Sequence, residues 1–308
     1  MSDPLVMISV PVLAGLEPSF RAQGLPTRLA WELTAAERRR VRAILHAGEF
    51  VLEPALLETF PGLGLIACVS VGYDGVDVPW CRAHRVQVTH ARGLNADDVA
   101  DHALGLMIGS WRSIVAGDRL VREGRWRHED RLAARPSLTG RAVGVVGLGA
   151  IGEAVARRCE ALRMRVAWWG PREKAAPWLR AESLLALARD SDVLVICSRA
   201  ERANRGMVSR QVIEAVGPQG LVVNVARGSL VDEAALIAAL KDGRLGRAAL
   251  DVFAEEPTPA ARWADVPNVV LTPHAAGGTA DSIPRLVAQA IDNVRRFLAD
   301  EPLASPIP

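Results

Sequence analysis

The 308-residue sequence lacks a charge imbalance, cysteine pairs, a long apolar run and internal repeats. Each absence excludes a class of function. Thirty-seven basic against thirty-five acidic side chains leave a formal charge of +2. So small a surplus offers no general attraction to nucleic acid or to an anionic membrane. The cysteines, Cys68, Cys81, Cys159 and Cys197, form no CxxC pair and have no metal-ligand spacing. They read as small hydrophobes in a reducing compartment, and no metal site is expected. Residues 1–10 carry Asp3 and no basic residue before a short apolar run, a poor secretion signal. The longest apolar run, near residues 103–108, is cut by Gly109, Ser110, Trp111 and Arg112, far short of a membrane span. A cytoplasmic protein with neither a nucleic-acid nor a membrane partner is expected.

What the sequence does contain is an alternation. Hydrophobic residues make up 50% and charged residues 23%, which excludes a disordered or fibrous chain. At about 150 residues per domain, the length predicts two domains. Short β-rich runs at residues 5–10, 65–70 and 86–89 are spaced by helical patterns at 34–42 and 53–60. Thr34 and Glu37 form a capping box for the first of these helices. A long helix over 97–121 follows, then strands at 143–146, 165–168, 193–197, 220–224, 248–251 and 269–271. Helices at 151–162, 181–188, 209–215 and 233–240 separate most of them, and a last helix spans 280–299. Strands spaced by helices predict an α/β fold with parallel sheets covered on both faces. The polar segment from Gly124, Arg125 and Trp126 to Pro136 is the expected exposed connection.

The strongest local signal is the run from Val143 to Gly152. Gly147, Gly149 and Gly152 follow an apolar strand and open a helix, the context a dinucleotide-binding loop requires. Gly147 makes the tight turn, Gly149 lets the backbone approach a pyrophosphate, and Gly152 admits close helix–sheet packing. The N–H groups that open the helix, at Ala150 and Ile151, suit the anion. The next strand leads into Trp168-Trp169-Gly170-Pro171-Arg172-Glu173-Lys174. An NAD site usually carries a carboxylate there. Gly170 has none, and the cations Arg172 and Lys174 suit a 2′-phosphate, so NADPH is the preferred cofactor and NAD a possible one. Trp169 either stacks on the adenine or covers the sheet edge.

Three later segments place polar groups just after strands: Arg227, then Glu256, then His274. In an open parallel sheet the carboxyl edge faces the ligand. Gathered there, an arginine, a glutamate and a histidine could bind an anionic substrate, poise a proton donor and deliver the proton. Taken singly, Arg227 could cap a helix and Glu256 could be a surface group.

Taken together with the glycine loop, these segments resemble the D-isomer-specific 2-hydroxyacid dehydrogenases over nearly the whole chain. Arg227 in NVARGSLVDEAAL matches the family's substrate-binding arginine. Glu256 in ALDVFAEEP matches its carboxylate, and His274 in NVVLTPHAAG matches its acid–base histidine. By the same resemblance, Val71, Gly72 and Tyr73 in SVGYDGVD belong to a loop whose N–H groups hold the substrate carboxylate. Asp251 and Val99 lie near the nicotinamide, and the cofactor surface extends to Cys197, Val225, Ala226 and Gly277. Arg227 and His274 also border the cofactor.

The resemblance implies two Rossmann-like or flavodoxin-like domains with an interdomain active-site cleft. Residues 1–101 plus 276–308 would bind substrate, residues 102–275 the dinucleotide, and the helix at 97–121 would build a homodimer. The implied reaction passes hydride from the nicotinamide to C2 of a small 2-oxo acid while His274 donates a proton. The phrase LIACVSVGYDGVD and the Gly170 position are most similar to NADPH-dependent glyoxylate/hydroxypyruvate reductases. A hydroxyphenylpyruvate or D-lactate type enzyme is the alternative, and a dinucleotide-sensing interaction protein is the alternative of another class.

Overall fold

Apolar runs buried on both faces form the central strands, as parallel sheets with helices on each side require. The computed structural model describes residues 4–127, 132, 134 and 136–307, in two units. Unit one is Met1–Asn95 with Ala280–Pro308, and unit two is Ala96–Thr279. The expected boundary at 101/102 fell inside a helix. That helix belongs wholly to unit two because Val99, Ala100, Ala103 and Met107 pack with Val143, Val145 and Val223.

Unit one holds β1 (Leu5–Ile8), α1 (Glu17–Ala22), β2 (Thr27–Leu29), α2 (Ala35–Arg38) and β3 (Val41–His46). It continues through α3 (Pro54–Leu57), β4 (Leu65–Cys68), α4 (Val78–Ala83) and β5 (Gln87–Thr89). The strands lie parallel in the order β2-β1-β3-β4-β5, and the C-terminal helix Ser282–Leu298 packs its buried Leu286, Ala290 and Val294 on this sheet's core. The expected helix over 34–42 is a correction. The Thr34–Glu37 capping box exists, but α2 is only four residues long. Val41–His46 is instead a strand beside β1 and β4, buried at every position except Arg42. Burial on both faces overrode the charged, helix-favouring run before it.

Unit two opens with α5 (Ala96–Trp111) and α6 (Ile114–Arg122). The single helix expected over 97–121 is therefore two. Ser113 turns left-handed at φ 54°, and buried Arg247 donates to Ser110 O at 2.7 Å, capping the last turn of α5. The expected connection 124–136 lies partly outside the described residues; within it, Pro136 O accepts from Trp111 Nε1 at 2.7 Å.

Then come β6 (Ala142–Val146), α7 (Ala150–Ala161), β7 (Arg165–Trp169), β8 (Leu179–Arg180), α8 (Leu184–Arg189) and β9 (Val193–Ile196). The rest is α9 (Arg210–Val216), β10 (Leu221–Asn224), α10 (Glu233–Lys241), β11 (Arg247–Leu250), α11 (Ala260–Trp263) and β12 (Val269–Leu271). The seven strands run parallel in the order β12-β11-β10-β9-β6-β7-β8. Chain order reverses between β6 and β9, the switch point where open sheets take their ligands. No described helix is long and apolar enough to cross a membrane. Burial pushes the Cys81 thiol up to about 11 and the Cys159 thiol up to about 12, so both serve as packing groups.

The loop after β10 tests how tightly the edge is built. A Cβ added at Gly228 would sit 1.9 Å from the Phe253 carbonyl carbon and oxygen. Backbone cannot yield as a side-chain tip can. Gly228→Ala will destabilise the protein by about 2 kcal/mol or more, read from the urea midpoint. An unchanged midpoint would show that the two loops are free to separate.

Candidate active site

The groups singled out after β10, β11 and β12 all emerge at one edge of the second sheet. Asn224, 1% exposed, ends β10. Its Oδ1 accepts from Ala226 N at 3.0 Å and its Nδ2 donates to Arg227 O at 3.0 Å. That clasp curls the chain and brings half-buried Arg227 out at the edge. Val225 and Ala226, expected at the cofactor, are buried beneath it.

Glu256 and His274 meet directly. His274 Nδ1 lies 2.6 Å from Glu256 Oε2, with the side chains 32% and 34% exposed. The other carboxylate oxygen accepts from Phe253 N at 2.9 Å, which fixes Glu256 on its own loop. His274 sits at φ 50°, and its N–H donates to Asp251 O at 2.8 Å. Asp251 is 1% exposed and accepts from Thr272 Oγ1, Ala275 N and Ala276 N at 2.6–2.9 Å.

Three charges act on one another here. The hydrogen bond that His274 donates to Glu256 raises the His274 pKa above its ordinary value, against burial and the nearby Arg227 cation. Burial works against the Glu256 charge, but the bonds from His274 and Phe253 N, with the His274 and Arg227 charges, hold its pKa below the usual carboxylate value. Arg227, Glu256 and His274 are therefore brought together, as expected. The arrangement is an imidazole hydrogen-bonded to a carboxylate, with a guanidinium charge acting on both, and chemically it can serve as a proton donor.

The glycine loop meets its three demands. Gly147 turns at φ 90°, where a Cβ would meet Ser198 at 2.6 Å. A Cβ at Gly152 would lie 2.0 Å from Gly147 O, so only glycine lets α7 approach. Gly149, the N-cap, faces open space, and no side chain caps the first-turn N–H groups of Ala150 and Ile151. These features fit a dinucleotide pyrophosphate. Val99 is buried nearby in the core that also holds Leu148 and Ala276, with half-buried Cys197 packed against it; Gly277 follows Ala276.

The two cations expected at the 2′-phosphate differ. Lys174 is committed: its Nζ donates to Leu148 O at 3.0 Å and pairs with Glu153. Arg172 is exposed and has no partner among the described residues. Gly170 is buried, and its carbonyl accepts from Arg180 Nη2 at 2.9 Å. Trp169 is half-buried and packs on the core beside β9, so it covers sheet at least in part.

Unit one positions Val71, Gly72 and Tyr73 after β4. His90 Nδ1 donates to Val71 O at 2.9 Å, and Ser70 Oγ donates to Gly72 O at 2.8 Å. Tyr73 is buried, edge-on to the His90 ring at 4.9 Å. With their carbonyls tied back, the Val71 and Gly72 N–H groups have no acceptor among the described residues. Sequence reasoning missed His102, whose Nε2 lies 2.9 Å from Thr272 Oγ1, and Arg180.

The pair predicts its own titration. Because Glu256 favours the charged imidazole, His274 keeps its proton to a higher pH than an ordinary histidine and loses it as pH rises through the raised value. Glu256→Gln removes the charge and will lower the midpoint seen by NMR of the imidazole. An unchanged midpoint would mean that the two side chains do not interact in solution.

Comparison with known proteins agrees with this geometry. Residues 104–276 match the family described as D-isomer specific 2-hydroxyacid dehydrogenase, NAD binding domain. The chain is 37% identical to a glyoxylate/hydroxypyruvate reductase of Arabidopsis thaliana, covering 86% of this chain and 83% of that one. It is 34% identical to the hydroxyphenylpyruvate reductase of Plectranthus scutellarioides, over 90% and 88% of the two chains. Among solved structures it resembles the NADPH-dependent glyoxylate/hydroxypyruvate reductase of Sinorhizobium meliloti in complex with NADP and malonate. That match has a TM-score of 0.90 and 31% identity, covering 99% of this chain and 97% of the other. With a nucleotide loop, an edge of conjoined Arg, Glu and His, and these relatives, the chain belongs to the D-isomer-specific 2-hydroxyacid dehydrogenase family.

Proposed function

We propose that the protein reduces small 2-oxo acids, glyoxylate and hydroxypyruvate foremost, to 2-hydroxy acids with NADPH as reductant. The observation that carries this reading is the 2.6 Å His274–Glu256 contact beside Arg227. A bound nicotinamide would supply the hydride to C2 of the oxo acid. Arg227 presents a planar fork that matches a carboxylate and orients the adjacent carbonyl. The amides of Val71, Gly72 and Tyr73 take the carboxylate on the substrate loop. His274, kept protonated by Glu256, donates from Nε2 to the oxygen as negative charge develops there. Asp251 holds the His274 turn.

NADPH is favoured because Gly170 carries no carboxylate to repel a 2′-phosphate, while Arg172 stands free to meet one. The NADP-bound Sinorhizobium meliloti relative supports this choice. A homodimer is supported by α6, which leaves Ile114, Val115 and Val121 between 45% and 57% exposed.

Steady-state assays with glyoxylate, hydroxypyruvate, pyruvate and 4-hydroxyphenylpyruvate, each with NADPH and NADH, test the reading. The first two substrates will give the highest kcat/KM, and NADPH will exceed NADH. His274→Ala will lower kcat by about 10²–10⁴-fold while NADPH still binds. Arg172→Ala will pull the NADPH/NADH ratio toward one, by about ten-fold for one ordered charged hydrogen bond. Full activity in the His274 variant would overturn the mechanism, and a wild-type cofactor ratio below one would overturn the NADPH preference.

A further inference from the structure

We propose that His102, on α5, is a positioning residue that holds the proton donor in place through Thr272 and Asp251. One hydrogen atom, that of the Thr272 hydroxyl, sets the direction of the whole network. Thr272 Oγ1 donates to Asp251 Oδ1 at 2.6 Å. Asp251 also receives the amides of Ala275 and Ala276, so it acts as an acceptor throughout. A hydroxyl has a single proton to give, so toward His102 the Thr272 oxygen only accepts. His102 Nε2, 2.9 Å away, must therefore carry hydrogen. Its distance to Asp251 Oδ1 is 3.4 Å, so the hydroxyl is the direct partner.

The consequence reaches His274. Residues 272–276 form the turn that wraps Asp251, and His274 stands in it at φ 50° with its N–H on the Asp251 carbonyl. An N–H at position 102 commits the Thr272 hydroxyl to the carboxylate. Remove that N–H and the hydroxyl is free to rotate, the carboxylate loses a fixed donor, and the imidazole loses its aim. The hydrogen-bond donor carries the effect; the bulk of the ring does not. His102 is the sole histidine of α5, and nothing in its sequence neighbourhood assigns it this part.

The inference rests on His274 as proton donor, but its first test does not. Nitrogen-15 NMR of the wild-type imidazoles at pH 8, where a free ring is neutral, will show His102 protonated at Nε2; an unprotonated Nε2 overturns the proposal. Kinetics then separate donor from bulk. His102→Leu will lower kcat about five-fold with KM for the 2-oxo acid unchanged, and His102→Gln, which restores an N–H, will recover at least half of wild-type kcat. Thr272→Val will lower kcat likewise, and adding His102→Leu to it will cost nothing more. Equal behaviour of the Leu and Gln variants, or additive losses with Thr272→Val, overturns the proposal. Should His102→Leu fail to fold, the Gln variant, Thr272→Val and the NMR result decide. Retained activity in His274→Ala would sink the proton-donor reading alone and leave the His102 tautomer standing.

Discussion

A carboxylate with almost no water around it governs the geometry of the second sheet's edge. Asp251 is 1% exposed, and an unpaired charge so placed would cost several kcal/mol. Its three donors come from one short stretch: the Thr272 hydroxyl and the Ala275 and Ala276 amides. They converge only if the chain leaving β12 doubles back over the end of β11. That path takes His274 to φ 50°, a left-handed conformation costing about 1–2 kcal/mol for a residue with a side chain. Glycine would suit the backbone better. The buried charge offsets the strain, and the strain holds an imidazole where a relaxed turn would not.

Arg227 and Glu256 pull the same histidine in opposite directions. The guanidinium disfavours the imidazolium, and the carboxylate favours it. A site for anionic substrates needs the first, and a proton donor needs the second. The direct hydrogen bond decides between them. Glu256 is hydrogen-bonded to Nδ1 at 2.6 Å, while Arg227 acts through space, and the net pKa is raised. Against its partial burial, the bond from His274 and then the Phe253 amide on the far oxygen hold the Glu256 pKa below the usual carboxylate value. Removing either support would tip the balance toward the arginine.

Much of this was legible in the sequence because it is written in local patterns. The glycine loop states its own backbone, and Arg227, Asp251, Glu256 and His274 each follow an apolar strand. The failures were equally physical. The helix expected over 34–42 runs into the first two residues of β3 because a charged helical run precedes the strand, and burial on both faces leaves the rest of β3 no alternation to read. The break between α5 and α6 depends on Arg247, a residue of β11 that reaches Ser110 and Ser113. β2 and β8, three and two residues long, are too short to carry any period. His102 was invisible because its partner Thr272 lies 170 residues away. A lone histidine on a helix has no pattern at all.

The cofactor loop shows where reading charge from sequence goes astray. Arg172 and Lys174 look in sequence like a pair of cations awaiting a phosphate, and Arg180 lies a few residues beyond them. Folding allots them differently. Lys174 turns back to Glu153 and Leu148 O, and Arg180 takes the Gly170 carbonyl and lies 5.7 Å over the Trp168 ring. Both thereby shape the turn, and neither is free to leave it without loss. Arg172 alone keeps its charge uncommitted, next to Pro171, which narrows the paths its backbone can take. An exposed arginine on a mobile stem is worth about 0–1 kcal/mol in an ion pair. It is worth about 1.5–3 kcal/mol in an ordered, charge-assisted hydrogen bond. On the proposed reading, discrimination between the two dinucleotides turns on how well the neighbouring, already paired residues aim that one side chain, and the number of cations in the loop does not measure it.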